Sequence, residues 1–146
     1  MTNTNYKTIA SKIKFEGRAF INGKYVDAID GEKFETINPA TGETLCSVAK
    51  CNSKDVDLAV KVSRKAFNSG VWSRTSPEFR KDVLLKFAEL LRTHGVENSV
   101  LECIDTGKLI GDCINEVAND APMHFQWYGE LIDKVFGKVG PTEPSL

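Results

Sequence analysis

The chain has 146 residues, one ordinary domain by length, with 41% hydrophobic residues, 27% charged residues and a net charge of −1. That balance gives no electrostatic reason to expect nucleic acid or an anionic membrane as partner, and no apolar run approaches the roughly 18 residues of a spanning helix. Met1 to Lys14 contain no apolar core followed by a small-residue cleavage site, so no secretory signal is read and a cytoplasmic setting is expected.

Residues 1–17 carry no clear pattern and are read as an N-terminal arm open to disorder. The chain is strand-like from there to about Lys50. Phe20-Ile21-Asn22-Gly23-Lys24-Tyr25-Val26 sets a turn-forming Asn-Gly between two apolar pairs, the strongest short-range hairpin signal. A second hairpin is predicted around Asn38-Pro39-Ala40-Thr41-Gly42-Glu43, with Phe34 and Thr36 leading in and Leu45 and Val48 leading out.

Helical periodicity then takes over. Ser53 is the expected N-cap of a first helix, with Asp55 a favourable first-turn charge, Val56, Ala59, Val60 and Phe67 on one face, and Gly70 at its end. Ser76-Pro77-Glu78 opens the next helix. Its apolar face is Phe79, Val83, Leu84, Phe87, Leu90 and Leu91, and Gly95 is expected to close it. A short helix from about Val96 to Thr106 ends at Gly107. The longest helix is predicted from about Ile110 to Phe136, kinked at Pro122, whose ring removes the hydrogen bond to the Ala118 carbonyl. The tail, residues 138–146, reads as a linker or a cut edge. Two hairpins and four helices leave wide apolar helical faces with little sheet to cover them. Either a self-sufficient α+β domain or a helical layer awaiting a later sheet fits that order.

Candidate chemistry is sparse. The four cysteines, Cys46, Cys51, Cys103 and Cys113, make no C-x-x-C pair and have no histidine at ligand spacing, as expected for reduced structural thiols. Thr106-Gly107-Lys108 looks like the end of a phosphate loop, but Glu102 stands where its first glycine belongs, so a helix C-cap is the plainer reading. His94 and His124 are isolated. Glu116, Asn119 and Asp120 flank Pro122 and either form a solvated face or gather on the bend. Asp105 sits in the last turn of a helix, where the dipole disfavours a carboxylate, and reads as either a plain surface acid or one with a specific partner.

Taken together, several segments resemble the aldehyde dehydrogenase superfamily. Phe20 to Val26 look like its F-I-N-G-x-[WY]-V opening, and Phe34 to Glu43 resemble its F-x-[TV]-x-N-P-[AS]-T-G-E hairpin. Ser53 to Phe67 match its D-V-D-x-A-V-x-x-A-[RK]-x-A-F helix, and Val71-Trp72 the G-x-W after it. Leu101 to Lys108 match L-E-[ST]-x-D-[TN]-G-K, with Leu109 in place of the usual proline. Phe125 to Tyr128 match [FL]-R-[YW]-[YF]. The likeness runs from about Phe20 to Gly137. Within the family it is nearest to the bacterial group that oxidises γ-glutamyl-γ-aminobutyraldehyde or other ω-amino aldehydes.

The resemblance implies an α/β fold in which residues 18–137 are the N-terminal part of a Rossmann-like NAD(P)-binding domain. It implies oxidation of an aldehyde to an acid with NAD or NADP, through a cysteine thiolate and a glutamate that activates water. In family members those residues, the oxyanion-stabilising asparagine and the cofactor-binding lysine and glycines lie beyond the position of Leu146. None of the four cysteines here occupies the nucleophile position. The chain alone is therefore expected to bind cofactor poorly, to lack activity, and to self-associate through its uncovered faces or be only marginally stable. The resemblance further implies a sodium or potassium site from Asp105 with the carbonyls of Thr36 or Ile37, a substrate-channel mouth near Glu116, Asn119 and Asp120, and a homo-oligomer at full length. The competing reading is a stand-alone helical interaction module without catalysis.

Overall fold

The Asn22-Gly23 pair does what its chemistry permits: both residues take positive φ, 55° and 75°, the requirement of a type I′ turn. In this computed structural model, which describes residues 4–137, the turn joins β1 (Ala19–Ile21) to β2 (Lys24–Val26). Phe20 stands opposite Tyr25, with ring centroids 5.1 Å apart. The second hairpin pairs β3 (Lys33–Ile37) with β4 (Thr44–Ala49) and shifts register between Thr36 and Ile37. Its turn is organised by Asn38, whose carbonyl accepts from Gly42 N–H at 2.8 Å and whose side chain accepts from Ala40 N–H at 2.9 Å. The two hairpins are separate two-stranded sheets.

The arm is not featureless. Tyr6–Ala10 forms α1, capped by Asn5 and packed against the helix Gly95–Thr106. The arm joins β4 through a 2.7 Å bond from Ala49 N–H to the Gly17 carbonyl.

Four predicted helices appear with corrected ends. The cap of α2 (Ser53–Ser69) is Asn52, one residue earlier than expected. Asn52 and Asp55 satisfy each other's backbone donors in a capping box, which Ser53 is placed too late to form. Gly70 ends α2 in the left-handed region, φ 77°. Ser76 caps α3 (Pro77–Thr93), its hydroxyl accepting from Phe79 N–H at 3.1 Å. Gly95 does not close α3. His94 does, and Gly95 is the buried first residue of α4 (Gly95–Thr106).

The largest departure is in the long helix. It divides into α5 (Ile110–Cys113), a π-helical segment (Ile114–Asp120), α6 (Ala121–Leu131) and a 3₁₀ turn (Ile132–Lys134). The expected proline kink is replaced by a change of register. Ala121 N–H bonds to the Glu116 carbonyl, five residues back. Pro122 then lies buried in the first turn of α6, where its missing N–H matters least.

The interior lies where α3 meets α6 and where α4 meets the π-helical segment. Phe87 meets Phe125 edge-on at 4.6 Å, and the bare Cα of Gly129 lets α6 approach Leu84 and Leu85. Few side chains are fully enclosed: Ala88, Val100, Cys113 and Pro122 among them. Val60 (59% exposed) and Phe67 (64%) on α2, with Phe79 (49%) and Leu90 (46%) on α3, face outward. A self-sufficient core would bury these residues, so the uncovered helical layer is the better description. No helix among the described residues is long and apolar enough to cross a membrane.

The 3₁₀ turn is tied to α3 by Lys81 Nζ, 3.1 Å from Asp133 Oδ2. Hydrogen bonds from Lys134 first and Lys81 second hold the Asp133 carboxyl at about 2, below its ordinary 3.8. A carboxyl depressed in the folded state adds stability above the ordinary carboxylate range and loses it as pH falls toward 2. Asp133→Asn is therefore expected to be less stable than wild type at pH 7 and to converge with it as pH falls from roughly 4 to 2, as read from circular-dichroism melts. An acid limb identical to wild type would show that the tie carries no folding energy.

Candidate functional site

The end of α4 and the second hairpin converge on Asp105. Gly107 terminates α4 in the left-handed region, φ 75°, and a side chain there would meet Pro39 of the hairpin turn at 2.8 Å. This close approach brings β3 to the helix end, where Thr36 Oγ1 donates to Asp105 Oδ1 at 3.2 Å. The pair lies in an open cleft of about 480 Å³ shared with Phe34, Cys46 and Leu101. Thr36 and Asp105 are thus brought together across 69 residues of sequence. Ile37 follows them after the register shift, opposite Thr44.

The three residues flanking Pro122 are divided rather than gathered. Glu116 turns toward the end of α4, where Lys108 Nζ lies 2.7 Å from Glu116 Oε2 and 3.3 Å from Glu102 Oε1. The hydrogen bonds from Lys108 to Glu116, then to Glu102, raise the Lys108 ammonium above its ordinary range. Asn119 reaches back to Asn115 at 3.5 Å. Asp120 offers its backbone carbonyl to His124, whose Nδ1 is 2.8 Å away. On α6, Met123, His124, Trp127 and Tyr128 line an open pocket of about 270 Å³.

The turn after α4 does not fit a dinucleotide phosphate. The Thr106-Gly107-Lys108 turn is a helix C-cap, its Gly107 N–H is spent on the Cys103 carbonyl at 3.0 Å, and Lys108 is held between two carboxylates that would repel a phosphate. The Cys113 thiol does not resemble an activated nucleophile either. Burial pushes the Cys113 thiol up, away from the thiolate form, and all four cysteines are free thiols.

Sequence reasoning undervalues three positions. Asp55 is a buried carboxylate: Oδ1 accepts from Ile29 N–H and Oδ2 from Asn52 N–H, both at 2.9 Å. The Asn52-x-x-Asp55 spacing was the available signal. Ser99 is buried with its hydroxyl 2.7 Å from the Gly95 carbonyl and 3.1 Å from that of Cys113, which joins α4 to α5. Gly95 itself faces Ala118 of the π-helical segment so closely that an added Cβ would stand 2.8 Å from the Ala118 Cβ.

Residues 25–145 match the aldehyde dehydrogenase family. The chain is 40% identical over 142 residues to aminoacetaldehyde dehydrogenase of Pseudomonas aeruginosa, covering 97% of this chain and 29% of that protein. Its fold superposes on γ-glutamyl-γ-aminobutyraldehyde dehydrogenase of Burkholderia cenocepacia with TM-score 0.90 at 42% identity, covering 94% of this chain and 28% of the other. It superposes equally, at 40% identity, on indole-3-acetaldehyde dehydrogenase of P. syringae, solved in complex with NAD+ and IAA, again spanning 28% of that chain.

Proposed function

The chain belongs to the aldehyde dehydrogenase family, and on that footing we propose that residues 18–137 form the N-terminal part of the NAD(P)-binding domain of a longer enzyme. That enzyme oxidises an aldehyde, an amino aldehyde in particular, to a carboxylic acid. The observation that carries the reading is the extent of the match: nearly the whole chain, but under a third of each relative's length. The exposed apolar faces of α2 and α3 support it, since a helical layer of this kind is covered when a parallel sheet packs on it. NAD or NADP would be held by residues other than those described, and hydride acceptance is the chemistry it would supply. A cytoplasmic homo-oligomer is part of the proposal. So are a monovalent-cation site at Thr36, Ile37 and Asp105, and a channel mouth near Glu116, Asn119 and Asp120. Of those last three residues, Glu116 already neutralises Lys108, which leaves Asn119 and Asp120 for the channel mouth.

The test is aldehyde-dependent formation of NADH or NADPH from 3-aminopropanal by a polypeptide that carries this chain at its relatives' length. The 146-residue chain alone is expected to give none. Turnover by the chain alone would overturn the reading, and failure of the longer polypeptide to reduce either cofactor would favour an interaction module that uses the same exposed faces. In the active polypeptide, Asp120→Asn is expected to reduce the preference for 3-aminopropanal over butanal about tenfold, ~1.4 kcal/mol. An unchanged preference removes Asp120 from the channel. Thermal stability of that polypeptide is expected to rise with potassium, and Asp105→Ala to abolish the response. A variant that responds like wild type excludes the cation site.

A further inference from the structure

We propose that α3 is an interaction surface for a second copy of this chain, the two helices lying antiparallel about a two-fold axis level with Leu84. The inference goes beyond the dehydrogenase reading. It concerns the 146-residue chain itself, since a sheet packed on α3 in a longer polypeptide takes the same face, and its failure leaves that reading standing.

α3 has two apolar sides. Leu84 and Leu85 face α6 across Gly129, with Phe87 at the border against Phe125. The other side carries Phe79, Val83 and Leu90, between 39% and 49% exposed, at spacings that put them in one stripe. With Phe87 they line an open groove of about 540 Å³, whose polar members are Asp82 and Lys86.

These two charges select the occupant. They stand one turn apart on the same side of the stripe. An antiparallel copy related by a two-fold axis level with Leu84 brings its Lys86 to Asp82 and its Asp82 to Lys86. Phe79 then meets the partner's Leu90, and Val83 packs near the axis. A parallel pair sets Lys86 against Lys86 and gives no such exchange. Lys86 does have a partner within α3, Glu89 at 2.8 Å, but both side chains are 65% exposed, and an ion pair this solvated yields to a better one. The groove on α2 is not self-complementary in this way. Its lining includes one cation, Arg64, and no carboxylate.

Sedimentation equilibrium of the 146-residue chain is expected to show a monomer–dimer equilibrium. Asp82→Lys and Lys86→Asp each set like charges together and are expected to raise the dimer Kd about tenfold or more. The double variant, with both charges reversed, is expected to recover the wild-type Kd. An equimolar mixture of the two single variants is expected to form a heterodimer, because one chain then presents only lysines and the other only aspartates. Circular dichroism checks that each variant keeps its helices. A second measurement needs no variant: a carbodiimide links carboxylate to amine without a spacer. In a mixture of ¹⁴N- and ¹⁵N-labelled wild type, it is expected to join Asp82 of one label to Lys86 of the other. A wild type that stays monomeric at roughly millimolar concentration, well above the Kd of a useful contact, overturns the proposal. So do open-ended oligomers, which require a heterologous contact, a Kd indifferent to the single reversals, or Asp82–Lys86 links confined to one label.

Discussion

Gly95→Val is expected to destabilise the fold by about 2–3 kcal/mol, the range for overpacking a closed contact. A Cβ at this position stands 2.8 Å from the Ala118 Cβ and 2.9 Å from its Cα, both fixed to the backbone of the π-helical segment. Neither partner is the free end of a flexible chain, so α4 and that segment have to separate. The separation also strains the Ser99 bonds to Gly95 and Cys113. Helix propensity alone gives the opposite sign, since replacing a helical glycine by alanine gains up to ~1 kcal/mol, less at a first-turn position such as this. Gly95→Ala therefore discriminates: a loss supports the close crossing, and a gain refutes it. Gly111 is the control, because an added Cβ there meets nothing within 4 Å. Its alanine variant should gain stability. Ala118→Gly in the Gly95→Ala background should restore part of the loss, an interaction visible only in a double-mutant cycle of denaturant melts.

Asp55→Ala is expected to cost about 2–4 kcal/mol, because it leaves two donors without partners and removes a helix cap. The carboxylate is 2% exposed and joins the loop after the first hairpin, through Ile29 N–H, to the entry of α2, through Asn52 N–H. Asp55→Asn keeps the shape and one acceptor but turns an amide N–H toward a backbone N–H, so it should recover less than half of the loss. Urea unfolding followed by circular dichroism measures both. If Asn matched wild type, the negative charge would have no role there. If Ala matched wild type, water would be satisfying both donors.

The hairpins were legible because their turns depend on local chemistry: Asn22-Gly23 and Asn38 to Gly42 specify their own backbone conformations. Caps at Gly70, Ser76 and Gly107 followed for the same reason. Gly95 was misread because its role is set by Ala118, 23 residues away, and a glycine needed for close approach looks the same in sequence as one needed for a left-handed turn. The π-helical segment was hidden as well, since apolar periodicity over so few residues does not separate 3.6 from 4.4 per turn, and Pro122 announced only that something must change. At the candidate site, the meeting of Thr36 and Asp105 depended on the long-range seat of Pro39 against Gly107. The separation of Glu116 from Asp120 depended on Lys108, a residue the sequence could place only by its neighbours.

The outward apolar faces of α2 and α3 have a consequence in time. In a polypeptide of the relatives' length, this whole chain makes up about 29% of the total, so these helices are made with most of the polypeptide still to come. At about 5–20 residues per second, the remaining synthesis takes on the order of tens of seconds. Val60, Phe67, Phe79 and Leu90 then spend that interval in contact with solvent or chaperone, so the yield of such an enzyme would depend on holdase capacity and elongation rate as well as on final stability.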